Sequence, residues 1–115
     1  MDIKSRTVGD VLVIELEGEF SRDGCPRPNL HEVVKAKLET GEKKILINLE
    51  KAEFEDDFAI GQILASYISA KKSGGALKLS GLSAKWQNIM KITTCDRVIE
   101  IFPSEKSALE GFAKP

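Results

Sequence analysis

The sequence predicts a single α/β domain over residues 1–115, built on a mixed, mostly parallel sheet with about four helices. Short apolar runs typical of strands alternate with segments whose apolar residues recur at i, i+3 and i+4, the spacing of one helix face. The joins between these segments are short, and alternating strands and helices with short joins favour a parallel sheet. A chain of 115 residues, 42% hydrophobic and 30% charged, suits one globular domain. The predicted element order is β-β-α-β-α-β-α-β-α.

An antiparallel hairpin is predicted at the N-terminus. Residues 3–7 alternate weakly between apolar and polar, residues 8–10 carry the turn sequence Val-Gly-Asp, and residues 11–16 form a stronger apolar run. Within that second run the even-numbered residues stay apolar, whereas the odd-numbered ones change from valine to glutamate. We therefore expect a sheet with one well-buried face.

A stiff loop and the first helix are predicted next. Gly24, Pro26 and Pro28 prevent a regular helix before Asn29, which is suited to cap the helix that follows. This helix is expected to end at Thr40 and Gly41. Its apolar face consists of Leu30, Val33, Val34 and Leu38.

The central part of the chain predicts a buried strand, a charged loop and a long helix. Residues 44–49 form the strand, and the loop ends in two consecutive acids, Asp56 and Asp57. Acids at that position can cap the helix, a contribution of about 1 kcal/mol, so capping is one interpretation of both. The helix is expected over residues 57–72, stopped by the two glycines at 74 and 75. Its predicted apolar face is Ile60, Ile63, Leu64, Tyr67 and Ile68.

Four further elements complete the predicted fold. A strand is expected over residues 76–80, and a helix after it carries Trp86, Ile89 and Met90. A last strand over residues 98–102 ends at Pro103, which cannot donate to a strand ladder, and a final helix follows. The inward residues of that helix are Ala108, Leu109 and Phe112. From their spacing, the predicted core contains Ile14, Ile45, Ile47, Ile63, Leu64, Leu77, Leu79 and Ile101.

Composition argues against several classes of function. The net charge is −1 with both signs interspersed, so no broad field would attract nucleic acid or an anionic membrane. The first residues lack the apolar core of a secretion signal, and no run reaches the roughly 18 apolar residues of a membrane span. A cytoplasmic protein is expected. Cys25 and Cys95 are then reduced thiols, one in a loop and one as a small buried side chain.

No catalytic, metal-binding or cofactor-binding pattern stands out. His31 is the single histidine, so zinc sites and catalytic triads lack their usual parts, and a solvated or capping role is expected for it. The two glycines at 74 and 75 follow a helix and lack the lysine of a phosphate loop. We therefore expect a protein that is not an enzyme.

Two stretches resemble the STAS family of anti-sigma-factor antagonists. Gly18-Glu19-Phe20 is similar to the end of the family's second strand, and residues 48–64 resemble its strand, switch turn and helix. The residues that carry the second resemblance are Asn48, Leu49, Glu50, Phe54, Asp56, Ile60, Gly61, Ile63 and Leu64. The resemblance implies the same α/β fold and a domain that binds other proteins.

The resemblance also assigns roles to particular residues. In the family a partner kinase phosphorylates the serine after the turn's aspartate, and Asp57 stands at that position here. Asp57 either imitates phosphoserine or abolishes the regulation. Phe58 replaces a second hydroxyl and is either an exposed anchor or a core contact. The implied partner-binding residues are Glu19, Phe20, Ser21, Asp56, Asp57, Phe58, Ala59, Ile60 and Gly61.

Two functions of different class follow from the resemblance. The first is partner switching with an anti-sigma factor or a related serine kinase, which would regulate transcription. The second is a structural STAS subunit of a signalling scaffold or of a lipid-transport complex, where a fixed contact replaces the switch. Neither function involves nucleic acid, a membrane span, a metal or a cofactor.

Overall fold

A computed structural model describes residues 1–23 and 26–113, and in this part of the chain the elements follow the predicted order. The strands are β1 (Asp2–Val8), β2 (Val11–Phe20), β3 (Lys44–Phe54), β4 (Ala76–Ser80) and β5 (Ile101–Phe102). The α-helices are α1 (Leu30–Glu39), α2 (Phe58–Lys72), α3 (Ala84–Ile92) and α4 (Glu105–Ala113). A short 3-10 turn, Cys95–Arg97, lies between α3 and β5. The loop residues Gly24 and Cys25 fall outside the described residues.

The five strands form one sheet in the order β1-β2-β3-β4-β5. β1 and β2 are antiparallel and meet where Val8 pairs with Val11, while each later strand runs parallel to its neighbour. Gly9 supplies the positive φ, +62°, that the tight hairpin turn requires. The predicted mixed sheet with an N-terminal antiparallel hairpin is confirmed.

Two strand lengths differ from the prediction. β3 continues to Phe54, because residues 51–54 pair in register with residues 17–20 of β2 beyond an irregularity between Glu15 and Glu17. The charged residues of this stretch suggested a loop, but they occupy the exposed side of a regular alternation. β5 contains two residues instead of five, since Val98 is exposed and Ile99 enters the core outside the sheet.

Both faces of the sheet are covered, which corrects the expectation of one buried face. The larger core lies between the sheet and α1, α2 and α3, and is centred on the even-numbered apolar residues of β2. On the other face, Val11, Val13 and Leu46 pack beneath Ala108 and Phe112 of α4. The odd-numbered valines of β2 are thus buried because a helix far along the sequence folds back over them.

The first helix follows the sequence prediction at both ends. Asn29 caps it through a capping box, in which Asn29 Oδ1 accepts from Glu32 N at 2.9 Å and Glu32 Oε1 accepts from Asn29 N at 3.0 Å. Gly41 follows the last turn with φ +103°, a conformation that favours glycine. Leu30, Val34 and Leu38 are buried, as predicted.

The buried face of α2 is rotated from the predicted one. Its buried residues are Ala59, Ile63, Ser66 and Ala70, three of which are small. Leu64 is half-buried and Ile68 is 50% exposed, so the prediction that placed them on the inward face is wrong. Small side chains let α2 lie close to the sheet, and the larger aliphatic residues flank that contact.

The C-terminus of α2 is fixed by the two glycines, as predicted. Gly74 has φ +77°, and Gly75 N donates to Ala70 O at 2.8 Å, the pattern of a Schellman motif. A Cβ at Gly75 would lie 2.5 Å from the carbonyl oxygen of Lys43, so glycine is required there by close backbone packing.

Most of the predicted core is buried. Leu64 and Ile101 are the exceptions, since both pack against the core while remaining half-buried. Trp86 on α3 and Leu109 on α4 are likewise half-buried and pack against the core. Ile89 is half-buried, and the buried residue of α3 is Met90. Among the described residues, no helix is long and apolar enough to cross a membrane.

Candidate functional site

The sheet brings the two resembling stretches together at the carboxyl ends of β2 and β3. Phe20 pairs with Phe54 in the parallel register, and Glu55 N donates to Phe20 O at 3.4 Å. The loop after β2 therefore lies beside the turn that leads into α2. We call the solvent-facing residues here the β2–α2 surface: Glu19, Arg22, Asp23, Glu53, Glu55, Asp56, Asp57, Phe58 and Gly61.

An aromatic cluster supports this surface from beneath. The Phe20 ring is fully buried and meets Phe54 and Phe58 edge-on, with centroid distances of 5.4 and 6.4 Å. Phe54 in turn contacts Trp86 of α3 at 5.0 Å. Aromatic pairs of this kind contribute about 0.5–1.5 kcal/mol beyond their buried area. The cluster ties the start of α2 to the sheet and to α3.

Three of the predicted partner-binding residues are buried in the structure. Phe20 and Ala59 are inaccessible to solvent, and Ser21 is 5% exposed, with its hydroxyl donating to Glu19 Oε1 at 3.2 Å. Side chains packed in this way support the solvent-facing residues around them. The sequence motif predicted these residues but did not separate those that hold the surface in place from those that would contact a partner.

The two consecutive acids differ in their local role. Asp56 Oδ1 accepts from Phe58 N at 3.0 Å, which closes a turn ahead of the helix. Asp57 occupies the N-cap position in a helical conformation, and its side chain makes no capping hydrogen bond. The hydrogen bond of the capping interpretation is therefore made by Asp56 and not by Asp57. Its exposed carboxylate is left facing solvent at the start of α2.

Phe58 and Gly61 differ in exposure at the start of α2. Phe58 is half-buried, packed on Phe20 from below and covered by the Arg22 guanidinium, 5.3 Å from the ring centroid. One side of the Phe58 ring is thus a core contact with Phe20, and the other side lies at the surface beneath Arg22. Ile60 is half-buried beside it, whereas Gly61 is exposed.

Negative charge is concentrated at the β2–α2 surface. It carries six acids and one arginine, a net charge of −5, whereas the whole chain carries −1. Glu19 and Glu53 are register partners on adjacent strands and therefore lie on the same side of the sheet. Elsewhere the sheet pairs its charges, as Lys4 does with Glu17 and Lys51 with Glu15. Among the described residues, no ion pair includes any of the six acids.

Sequence reasoning missed several residues of this surface. Arg22 lay in a loop without a pattern, and Glu53 lay in a stretch predicted to be a loop. The signal available for Glu53 was the alternation of residues 51–54, which continues the strand beyond Leu49.

A second polar group lies on the opposite face of the sheet, next to α4. Asn48 is 7% exposed, and its Nδ2 donates to Glu105 Oε1 at 3.1 Å, while Arg6 donates to the same carboxylate. The Arg6 hydrogen bond, helped by Asn48, holds the pKa of Glu105 below its usual range. Asn48 Oδ1 also accepts from Glu50 N at 3.0 Å. This group fastens the start of α4 to β1 and β3.

His31 joins two helices instead of facing solvent. Its Nε2 lies 2.9 Å from Ser69 Oγ, and its backbone N–H donates to Gln62 Oε1 at 3.0 Å. The expected solvated or capping role is therefore wrong. Cys95 is a free, half-buried thiol, less enclosed than predicted.

Together, the fold and the β2–α2 surface define a class of protein: a small mixed α/β domain that presents an acidic loop–helix edge. The chain belongs to the STAS domain family, whose model matches residues 2–108. This confirms the resemblance found in the sequence.

Two similar proteins, both from Thermotoga, are provisionally described as anti-sigma factor antagonists. One from Thermotoga neapolitana is 32% identical over 73 residues, and one from Thermotoga maritima is 30% identical over 73 residues. Each match covers 64% of this chain, and the matched segment spans 65% of the length of each relative.

Solved structures show the same fold. The crystal structure of the Thermotoga maritima protein superposes with a TM-score of 0.79 at 25% identity, covering 97% of this chain and 95% of the other. The phosphorylated form of the Bacillus cell fate determinant SpoIIAA superposes with a TM-score of 0.68 at 20% identity, covering 96% and 99%. At that identity the second likeness is one of fold alone.

Proposed function

We propose that this chain is a non-catalytic protein-binding STAS module of the anti-sigma factor antagonist kind. It binds an anti-sigma factor or a related serine kinase through the β2–α2 surface, and so regulates transcription by partner switching. Membership of the STAS family and the descriptions of the Thermotoga relatives support this function. The setting is the cytoplasm, with no nucleic acid, metal or cofactor involved.

The observation that carries the proposal is the position and freedom of Asp57. It stands where the family resemblance puts the phosphorylated serine, it is exposed, and its side chain makes no capping hydrogen bond. A charged side chain that the fold does not use is available to a partner. Phe58 and Arg22, stacked beside it, supply an aromatic and a cationic contact of the kind that protein interfaces favour.

Asp57 changes the regulation expected of such a module. Phosphorylation of serine adds a charge of about −1.5 to −2 and three acceptor oxygens, whereas aspartate holds a fixed charge of −1. Residues 57–59 read Asp-Phe-Ala and offer no hydroxyl. We therefore expect a serine kinase with ATP to leave the segment 54–63 unmodified, which intact-mass measurement would check.

Affinity capture tests the proposed function. Tagged protein is incubated with cytosol of the source organism, alongside the variant Asp57→Lys and the control Val98→Lys, which alters an exposed residue remote from the β2–α2 surface. We expect wild type and control to retain a histidine-kinase-like ATPase, and Asp57→Lys to lose it because the surface charge is reversed. Absence of any such ATPase from the wild-type sample would refute the proposal.

A structural STAS subunit of a signalling scaffold or lipid-transport complex is the second candidate. The lack of a hydroxyl at residues 57–59 favours a permanent contact over a switched one. In that case the same capture would recover scaffold or transport components in a fixed ratio. Their retention would be unchanged by added ATP.

A further inference from the structure

The outward face of α2 is uncharged along more than three turns. Residues 58–70 contain no charged side chain, whereas the shorter helices α1, α3 and α4 carry four, two and three. On this face Gly61 is exposed, Ile68 is 50% exposed, and Leu64 and Ala65 are half-buried. A helix on the surface of a protein in water normally places charged residues there. This face therefore has the composition of a contact surface.

The side chains of this face form a ridge beside a groove. Ile60, Leu64 and Ile68 recur every four residues along α2, so they form a row of large aliphatic side chains. Ile60 and Leu64 are half-buried and also pack against the core, whereas Ile68 is 50% exposed. Gly61 and Ala65, also four residues apart, make a parallel row of small ones. Rows at i±4 spacing are the ridges and grooves by which two helices pack, most often crossing at about −50°. The shape of the face thus suits another helix.

Gly61 has no role in the fold that requires glycine. It lies within α2 without a positive φ, and a Cβ added there would meet no atom within 4 Å. Glycine inside a helix costs about 1 kcal/mol relative to alanine. Open space above such a residue permits close approach by a second backbone. The isolated domain therefore offers no reason for a glycine at this position.

Charge fixes the orientation of the occupant. Asp56 and Asp57 lie at the N-terminal end of α2, and Lys71 and Lys72 lie in its last turn. A helix that packs along this face is best matched if its basic residues lie next to the two aspartates and its acidic residues next to the lysines. The face is thus apolar along its length and of opposite charge at its two ends.

We propose that the outward face of α2 is the docking site for an amphipathic helix of the protein partner, with its basic end beside Asp56 and Asp57. The proposal rests on the proposed function, because it assigns a partner chemistry to the surface that begins at Asp57. It extends that surface along α2 to Ile68. Recognition is of the helix-in-groove kind, with the apolar ridge anchoring the partner and Gly61 allowing close contact.

Fluorescence anisotropy with synthetic helices tests the docking site. The probe is a labelled amphipathic peptide of about 18 residues, roughly 27 Å of helix, with leucines on one face and lysines on the other. Its counterpart carries glutamates in place of the lysines. We expect the lysine peptide to bind more tightly than the glutamate peptide, because the net charge of −5 on the β2–α2 surface exceeds the charge of the two lysines at the other end of α2. Ile68→Asp should weaken that binding about tenfold, whereas Val98→Asp, at a similarly exposed residue off the face, should not.

Gly61→Ala supplies a second test that a structural role would not mimic. We expect this variant to raise the melting temperature, because alanine is the better helix former and has room, yet to weaken peptide binding. Asn88→Ala, at an exposed position of α3, should raise stability without changing binding. Failure of the lysine peptide to bind, or equal binding by wild type, Ile68→Asp and Gly61→Ala, overturns the proposal.

The two proposals fail separately. If a captured ATPase binds wild type and Ile68→Asp equally, the docking site on α2 is wrong while the proposed function stands. If no ATPase is captured but the lysine peptide binds wild type and not Ile68→Asp, the docking chemistry stands and the proposed function is wrong.

Discussion

Phe20 and Asp57 serve one surface in different ways. Phe20 is fully buried and holds Phe54 and Phe58 edge-on, so its replacement would loosen the base of the β2–α2 surface. Asp57 is exposed and makes no capping hydrogen bond, so the fold depends little on it. Phe20 thus contributes to stability and Asp57 is available for binding. Substitutions of the two residues can therefore separate effects on stability from effects on binding.

Asp57→Ser should change affinity for the partner while leaving stability within about 0.5 kcal/mol of wild type. Tighter binding would mean that Asp57 imitates a phosphorylated state. Weaker binding would mean that a basic group of the partner depends on it, with one charge-assisted contact contributing roughly 1.5–3 kcal/mol. Calorimetric titration of the captured partner at two salt concentrations checks this, and equal affinities would remove Asp57 from the interface.

Glu105→Gln should make the free energy of unfolding depend less on pH at acidic pH. The hydrogen bond from Arg6 lowers the pKa of Glu105 in the folded state, so its contribution is present at neutral pH and is lost as pH falls through the folded pKa. The variant should therefore be less stable than wild type near about pH 7, and should lose less stability than wild type on going to about pH 3.

Denaturant titrations at both pH values measure the effect of Glu105→Gln. The matched control is Glu110→Gln, an exposed residue of the same helix. It should leave both the stability and its pH dependence near those of wild type. If the unfolding free energy of Glu105→Gln changed with pH as much as that of wild type, the Arg6 contact would contribute nothing to folding.

At the scale of elements, α2 has three distinct sides, each with its own contacts. Its inward side is made of small residues and Ile63, the side toward α1 holds Gln62 and Ser69 against His31, and the outward side is apolar. An amphipathic pattern normally marks one side of a helix as buried. Here no side carries a charge over residues 58–70, because α2 packs on the sheet, on α1 and, as proposed, on a partner.

Ile63→Ala and Leu64→Ala should differ in cost, although the two residues are neighbours in the chain. Ile63 is 1% exposed and central to the core, so its truncation should cost about 2–5 kcal/mol. Leu64 is half-buried at the edge of the core, and its truncation should cost less, on the order of 1 kcal/mol. Urea denaturation of both variants checks this. Equal losses of unfolding free energy would mean that Leu64 contributes to the core as much as Ile63 does.

Across the whole molecule, charge is unevenly distributed. The β2–α2 surface has a net charge of −5, so the rest of the chain carries +4. Glu19 and Glu53 are register partners on neighbouring strands, which lie about 4.8 Å apart along the hydrogen-bonding direction, and we expect their like charges to repel each other. A partner with a basic surface would relieve that repulsion. We therefore expect this pair of charges to lower the stability of the free domain.

Neutralising both glutamates should stabilise the free protein and weaken its binding. We expect Glu19→Gln combined with Glu53→Gln to raise the unfolding free energy by about 0.2–1 kcal/mol. The gain should be largest at low salt, where charge repulsion is least screened. The double variant Glu39→Gln with Glu110→Gln removes the same charge from exposed positions elsewhere. Thermal unfolding at two salt concentrations distinguishes the two, and equal shifts would argue against a specific repulsion.

Local sequence determined the elements of this protein and their order. The capping box at Asn29, the glycines after α1 and α2, and the alternation in β2 each act within a few residues, so they can be recognised without knowing the fold. The resemblance at residues 48–64 located the start of α2 for the same reason. The positions of Asp57 and Gly61 on the candidate surface were predictable from that motif.

The tertiary structure decided what each side of an element faces. Phe20 matches a partner-facing motif yet is buried, because Phe54 and Phe58 close over it from segments more than thirty residues away. Val11 and Val13 are buried because α4, the last helix, returns to cover them. Glu53 belongs to the candidate surface because the register of β2 and β3 places it beside Glu19. Periodicity reports that a face is apolar, but burial depends on which distant segment packs on it, and that is a property of the whole chain.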